Sequence, residues 1–217
     1  MDLSHYQRQR SLLDPELLSS LAIDVAGVGA VGRQVVLQLV SAGARNIRMF
    51  DHDRVEPANI GPQGWAPAAD GSPKVVALKE ELDSKYGVSE MENVRGFFRR
   101  YPPGFPTVLF CCVDRIETRE RIWSALDTAT ELWLDSRVAG DTIHVLAAGD
   151  EPSWDYYPSS LFNPEDAFRG ACTSTMTIHL ANIAAGLLIQ QMSKWMRRQP
   201  LDRHTVFNLL AMECYSK

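Results

Sequence analysis

The sequence is poor in cysteine and has no cysteine motif. No two cysteines form a C-x-x-C pair, and none has a histidine at ligand spacing; the four are Cys111, Cys112, Cys172 and Cys214. Structural zinc sites and disulfide frameworks both require such patterns, so we expect neither zinc nor disulfides. Cys111 and Cys112 lie within the apolar run TVLFCCVD, where we expect them to be packing residues of a buried strand.

Long apolar runs and an excess of one charge are also missing. The first ten residues, MDLSHYQRQR, contain no apolar stretch of the kind that a signal peptide needs, and the apolar segment 178–189 is interrupted by His179 and Asn182. The net charge is only −5 over 217 residues, and no basic stretch stands out. These absences predict a cytoplasmic protein that binds neither membranes nor nucleic acid.

Short apolar runs alternate with helical patterns along the chain. The run over 22–26, the helical spacing from Val31 to Val40 and the segment NIRMFD together predict a β-α-β unit. Further patterns predict helices over 74–85, 116–128 and 175–197, strands over 107–113 and 132–135, and a loop over 150–170. We predict an α/β, Rossmann-like fold in one domain over residues 1–217, with a mostly parallel sheet and helices on both faces.

Three glycines follow the first predicted strand in the spacing G-x-G-x-x-G: Gly27, Gly29 and Gly32. In this setting the first glycine permits a tight turn, and the second lets backbone N–H groups approach a phosphate. Asp51 ends the second strand, where its carboxylate can accept hydrogen bonds from ribose hydroxyls. The pattern predicts a ribonucleotide site, without deciding between a dinucleotide for hydride transfer and ATP.

Five ordered motifs distinguish between these nucleotides. They are HYQRQ, the glycine loop, DHDRVEPANIGPQ, GSPK and CCVDRIETR. Their order and spacing resemble the family of ThiF, MoeB and the adenylation domains of ubiquitin-activating enzymes, whose members carry R-Y-x-R-Q, the glycine loop, D-x-D-x-V with N-L-x-R-Q, G-x-x-K and D-N-x-x-x-R. The resemblance runs from about Ser4 to the end, and its last helix and closing hairpin imply a C-terminal antiparallel extension of the sheet. Without C-x-x-C pairs, the chain resembles a compact, zinc-free member.

The resemblance implies ATP- and Mg²⁺-dependent adenylation of the C-terminal carboxylate of a ubiquitin-like or sulfur-carrier protein ending in glycine, with a conjugating enzyme as a further partner. Lys74 matches the lysine at the phosphates, and Asp114 matches the aspartate that works with magnesium. Asn59 matches the asparagine of N-L-x-R-Q, so the resemblance implies that Asn59 contacts the nucleotide. Arg8 matches the arginine that reaches the partner subunit's ATP in dimeric members, which implies a homodimer or a heterodimer with a related subunit.

Each of these four residues also has a simpler interpretation. Lys74 can be a solvated lysine near a helix start, and Asp114 can cap the helix that follows, a role compatible with metal binding. Asn59 can be a turn residue, because a glycine and a proline follow it. Arg8 can belong to an ordinary charged arm.

The chain departs from the family pattern at three positions. Pro62 stands where N-L-x-R-Q has its arginine, His5 replaces the first arginine of R-Y-x-R-Q, and Arg115 replaces the asparagine of D-N-x-x-x-R. Loss of a preorganised charge from an active site costs on the order of 10²-fold in rate. Either Arg115 or Arg33 supplies the lost charge, or the chain is a catalytically weakened pseudoenzyme that binds a ubiquitin-like protein as a partner subunit.

Cys172 lies in FRGACTSTMT, just before a predicted helix. A thiol near a helix start can be activated, and related proteins have the cysteine that takes the activated carboxylate at this place. We therefore hypothesise a thioester or acyl-disulfide at Cys172, against the alternative of a small residue at a helix start. An NAD-dependent oxidoreductase is a further alternative: it would share the glycine loop and Asp51, but it gives no reason for HYQRQ, Lys74 and Asp114 to follow in this order.

Overall fold

The computed structural model describes residues 3–87, 92–94, 107–126, 128–162 and 176–217. Within these ranges the α-helices are α1 (Pro15–Ser20), α2 (Ala30–Ala42), α3 (Pro57–Gln63), α4 (Lys74–Tyr86), α5 (Ile116–Ser124), α6 (Glu151–Tyr156) and α7 (Ile178–Met196). The strands are β1 (Ile23–Ala26), β2 (Ile47–Phe50), β3 (Glu92–Val94), β4 (Val108–Cys111), β5 (Leu132–Ala139), β6 (Thr142–Ala148), β7 (His204–Asn208) and β8 (Glu213–Ser216). Short 3₁₀ helices cover Leu3–Gln9, Pro67–Ala69 and Tyr157–Ser160.

The eight strands form one sheet in the order β3-β2-β1-β4-β5-β6-β7-β8. Strands β3, β2, β1, β4 and β5 are parallel, and β6, β7 and β8 continue the sheet in antiparallel pairs. This arrangement confirms the predicted mostly parallel sheet with its C-terminal antiparallel extension. The chain winds outward in both directions from β1 and β4, so the carboxyl ends of these two strands form the crevice in which open α/β sheets bind ligands.

Helices cover both faces of the sheet. On one face α2, α4 and α7 pack on apolar strand residues, and the cluster includes Val25, Val35, Leu39, Phe110 and Leu188. On the other face α5 and α6 pack around Trp133, Tyr157 and Ile122. Strands β1 and β4 are buried along their whole length, so neither shows an alternating pattern. Strand β4 is apolar throughout, whereas β1 contains Asp24, whose buried carboxylate lies 2.8 Å from Nη2 of Arg48. Among the described residues, no helix combines the length and apolarity that crossing a membrane requires.

Two short helices differ from the sequence prediction. The predicted loop over 150–170 contains α6 and a 3₁₀ turn in its described part, because Asp150 and Ser153 form a capping box and Pro152 suits the first turn. Helix α3 occupies the segment interpreted as a turn around Asn59. A proline begins α3, and Gly64 ends it in the left-handed conformation with φ of 73°.

Candidate functional site

The glycine loop lies between β1 and α2, at the crevice. Gly27 has a φ of +83°, and a Cβ there would lie 2.8 Å from the carbonyl oxygen of Cys112. A Cβ on Gly32 would lie 1.8 Å from the carbonyl oxygen of Gly27. At Gly29, by contrast, a Cβ would meet only Gln63 Nε2 among the described atoms, at 4.0 Å. Packing therefore requires the first and third glycines, while the second leaves room for a ligand beside the N-terminus of α2.

Asp51 is tied to this loop. Its Oδ2 accepts a hydrogen bond from the backbone N–H of Val28 at 2.8 Å, and its Oδ1 accepts one from the N–H of Asp53 at 2.8 Å. Each carboxylate oxygen has a second lone pair. The half-buried carboxylate therefore holds the loop in place and can still accept a hydrogen bond from a ligand hydroxyl.

Lys74 begins α4 and is not a solvated lysine. Only 5% of the residue is exposed, and Nζ lies 2.9 Å from Oδ2 of Asp53. The backbone N–H of Lys74 also donates to the carbonyl of Asp53 at 3.0 Å. Through Asp51 and Asp53, hydrogen bonds link the glycine loop to this buried ammonium group. One ligand atom each from Asp51, His52 and Asp53 lies within 4.8 Å of the others.

Asp114 follows β4, and its side chain is exposed. The N-cap of α5 is Arg115, and this helix has no side-chain capping hydrogen bond, so the capping interpretation of Asp114 is wrong. The neighbouring turn runs beside the glycine loop, because a Cβ on Gly27 would also lie 3.1 Å from the N atom of Val113. Mg²⁺ is held in nucleotide sites by one or two carboxylates together with phosphate oxygens, and the exposed Asp114 carboxylate fits that ligand set.

Arg119 positions the turn that carries Asp114, a role the motif analysis did not identify. Its Nη1 donates to the carbonyl oxygen of Asp114 at 3.2 Å, and its Nη2 donates to the carbonyl oxygen of Ser136 at 2.8 Å. Its Nε lies 2.8 Å from Oδ1 of Asp135, which is fully buried. The signal that could have found Arg119 is the last arginine of D-N-x-x-x-R.

Asp135 is the counter-ion at the centre of this buried cluster. Burial opposes its ionisation, but Arg119 and Arg137 outweigh that penalty and lower the pKa of Asp135 below 3.8. Its Oδ2 accepts hydrogen bonds from Arg137 Nε and Tyr157 Oη, both at 2.9 Å. Burial, followed by the Asp135 charge, raises the pKa of Tyr157, which keeps the phenol a hydrogen-bond donor.

Helix α3 lies over the open side of the loop. Gln63 Nε2 donates to Asn59 Oδ1 at 2.7 Å, and Gln63 Oε1 accepts a hydrogen bond from Trp65 Nε1 at 2.9 Å. Asn59 is thus a helix residue that orients Gln63, the side chain nearest to the space beside Gly29. Pro62 lies inside the same helix and adds no charge to it.

Comparison with known proteins identifies the chain at the family level. The ThiF family profile matches residues 6–216. The chain belongs to the ThiF family.

Among curated ThiF-type relatives, ubiquitin-like modifier-activating enzyme 5 of Rattus norvegicus is 24% identical over 215 residues, which cover 88% of this chain and 53% of that protein. The Caenorhabditis elegans protein of the same name is 26% identical over 152 residues, covering 63% and 36%. The match thus spans about half the length of the Rattus norvegicus protein and about a third of the Caenorhabditis elegans protein.

Solved structures show the same fold. MccB of E. coli, solved with AMPCPP and MccA, superposes with a TM-score of 0.74 at 14% identity and covers 100% of this chain and 71% of that one. PaaA superposes with a TM-score of 0.76 at 17% identity, covering 100% and 82%.

Within this ThiF-family fold, Arg8 does not join the other predicted residues. It is exposed on the first 3₁₀ helix, whose Gln9 donates to the carbonyl of Ala42 and whose Tyr6 hydroxyl accepts a hydrogen bond from Arg45 at 2.7 Å. Those contacts lie at the C-terminal end of α2. The helix has 13 residues, so the 3₁₀ segment is about 20 Å from the glycine loop of the same chain.

The cysteines divide into described and undescribed positions. Cys111 is fully buried on β4, as predicted for a packing residue. Burial raises the pKa of Cys111, and burial followed by the charge of Asp135 raises the pKa of Cys112 to about 12. Neither thiol is therefore a nucleophile near neutral pH. Cys172 lies outside the described residues.

Proposed function

We propose that this chain is an adenylation domain that uses ATP to activate the C-terminal carboxylate of a ubiquitin-like, sulfur-carrier or peptide substrate. The supporting observation is the hydrogen-bonded series that joins Val28, Asp51, Asp53 and Lys74 at the crevice of a ThiF-family sheet. The names of the relatives, which are activating enzymes, and the AMPCPP in the MccB structure favour the same activity.

In the proposed reaction, a carboxylate oxygen of the substrate attacks the α-phosphorus of ATP. The bond from that phosphorus to the bridging oxygen breaks, and pyrophosphate leaves with the bond electrons, so that an acyl adenylate remains. Negative charge grows on the leaving pyrophosphate, and fixed cations aimed at that charge lower the barrier.

The residues of the site have separate roles in this scheme. Backbone N–H groups around Gly29 and the first turn of α2 would donate to the phosphates, and Asp51 would accept from the ribose. Lys74 would meet the phosphate charge, moving from Asp53 or sharing that carboxylate. A magnesium ion held by Asp114 would supply further neutralisation of phosphate charge.

Calorimetric titration tests this function with ATP plus Mg²⁺ and, separately, with NAD. The wild-type chain is expected to bind ATP and not NAD. Lys74→Ala removes a charged contact and should weaken ATP binding roughly 10- to 100-fold. Lys85→Ala, on the exposed C-terminal turn of the same helix, should leave the affinity unchanged. Binding of NAD alone would replace the proposal with an oxidoreductase.

A second candidate is a partner subunit that binds a ubiquitin-like protein without turning over ATP. Pro62 favours it, because the family arginine that this proline replaces contributes charge to the phosphate site. Absence of ATP binding by the wild-type chain in the same titration would support this second candidate. Acyl transfer to Cys172 stays a prediction under either function.

A further inference from the structure

The described cations around the crevice are, with one exception, already engaged. Lys74 pairs with Asp53, and Arg54 donates to the carbonyl of Gly71 at 2.6 Å. Arg119 is held between Asp135 and two backbone carbonyls. A replacement for the arginine missing at position 62 needs a cation without a partner, and each of these three side chains already has one.

Arg33, one of the two candidates for that replacement, is committed to a structural role. It is 4% exposed, and its Nη2 lies 2.6 Å from Glu81 Oε2. Its Nη1 donates to the carbonyl of Gln63 at 3.2 Å, and the guanidinium lies 4.7 Å from the ring centroid of Trp65. Because Glu81 already neutralises it, Arg33 clamps α2 to α3 and α4 and brings no net charge to a ligand.

Arg115 is the other candidate, and its surroundings differ. It is the N-cap of α5, its side chain is exposed, and it makes no hydrogen bond or ion pair through its side chain with the part of the chain that the structure describes. It directly follows Asp114. It is two residues beyond Val113, whose N atom would lie 3.1 Å from a Cβ on Gly27, so the Cα of Arg115 lies at most about 7 Å from that of Val113.

We propose that Arg115 binds the polyphosphate of ATP and replaces the arginine that Pro62 has displaced from α3. The inference rests on the proposed function. An arginine offers five donors in a planar fork that matches phosphate oxygens, and Arg115 has no ion pair with a described residue to break before it binds them. Two of the three departures from the family motifs, Pro62 and Arg115, are then one change: the cation has moved from α3, where proline now stands, to the β4–α5 turn, where asparagine is usual.

Titration with two probes tests this proposal, ATP plus Mg²⁺ and adenosine, which has no phosphates. Arg115→Asn restores the family residue and should weaken ATP binding roughly 10- to 100-fold while leaving adenosine binding unchanged. Arg121→Asn, an exposed arginine near the other end of α5, is the matched control and should bind both probes like the wild type. Thermal melting of each variant checks that the fold is retained.

A double variant tests the replacement itself. Pro62→Arg combined with Arg115→Asn restores the family arrangement and should regain at least part of the lost ATP affinity. Wild-type affinity in Arg115→Asn, equal loss of ATP and adenosine binding, or no recovery in the double variant would each overturn the inference. These failures differ from failure of the proposed function, in which the wild-type chain itself does not bind ATP.

Discussion

At the scale of single residues, packing alone requires two glycines of the glycine loop, Gly27 and Gly32. A Cβ on Gly32 would lie 1.8 Å from the carbonyl oxygen of Gly27, so Gly32→Ala forces the helix away from the strand. Overpacking of this kind lowers the free energy of unfolding by roughly 1–3 kcal/mol. Urea denaturation of the variant measures this loss directly.

Gly61→Ala is the matched control for that measurement. Gly61 is a helical glycine of α3, and no described atom, apart from its chain neighbours and the backbone of its own helix, lies within 4 Å of the position that its Cβ would take. Alanine there should raise the free energy of unfolding by about 0.5–1 kcal/mol. Equal stabilities of the two variants would mean that the loop tolerates a side chain at Gly32.

The motifs predicted Lys74, Asp51 and Asp114 as site residues, but not the buried cluster of Arg119 and Asp135 behind Asp114. The contact between Arg119 and Asp135 depends on the register of β4 and β5, in which Cys111 pairs with Asp135. Such a pairing is not visible in the sequence, where Asp135 simply ends the apolar run LWL. The motif therefore predicted Asp114, whereas the role of Arg119, which donates to the backbone carbonyl of Asp114, depends on the pairing of β4 with β5.

At the scale of elements, two histidines join the antiparallel strands β6 and β7. His144 Nδ1 lies 3.0 Å from His204 Nε2, and the Tyr156 hydroxyl of α6 lies 3.0 Å from His204 Nδ1. Burial, together with the charges of His144 and Arg137, lowers the pKa of His204 from 6.5 to about 4. The folded protein therefore binds a proton at His204 only at a lower pH than the unfolded chain does.

The sign of the stability change follows from that difference. Between pH 6.5 and about 4 the unfolded chain binds more protons at this histidine, so the free energy of unfolding falls as the pH falls through this window. His204→Gln should show a smaller fall than the wild type in urea titrations across the same window. His179→Gln, at an exposed position on α7, should follow the wild type. Parallel curves for wild type and His204→Gln would contradict the prediction.

Elements with strong periodicity could be predicted from the sequence, while short helices could not. The long helices α2 and α7 follow from apolar residues at helical spacing, and the buried strands β1 and β4 follow from short, mainly apolar runs. Helix α3 contains two turn-forming residues, Gly61 and Pro62. None of its residues is buried, so it has no apolar pattern from which a helix could be predicted. Its proline start, its glycine end and a hydrogen bond from Arg33 on α2 to the carbonyl of Gln63 stabilise the helix, and of these only the contact with Arg33 is tertiary.

At the scale of the whole molecule, α2 separates the glycine loop from the segment that carries Arg8, although the family motifs assign both to nucleotide binding. The glycine loop lies at its N-terminus and the segment of Arg8 at its C-terminus, about 20 Å apart across 13 residues. A side chain cannot span that distance within one chain. If Arg8 contacts a nucleotide, as the family resemblance predicts, that nucleotide belongs to another subunit, and the predicted dimer then has composite sites.

Mixing two inactive variants tests that geometry. In a composite site Lys74 comes from one subunit and Arg8 from its partner, so Arg8→Ala and Lys74→Ala homodimers should each lack tight ATP sites. After the two are mixed and allowed to exchange subunits, half of the dimers are mixed, and each mixed dimer has one intact site and one doubly altered site. Calorimetric titration should then recover about a quarter of the wild-type number of tight ATP sites. If Arg8 acted on the nucleotide of its own chain, no mixed dimer would contain an intact site, and the mixture would show no tight ATP binding. The number of tight sites therefore distinguishes the two geometries without knowledge of the protein substrate.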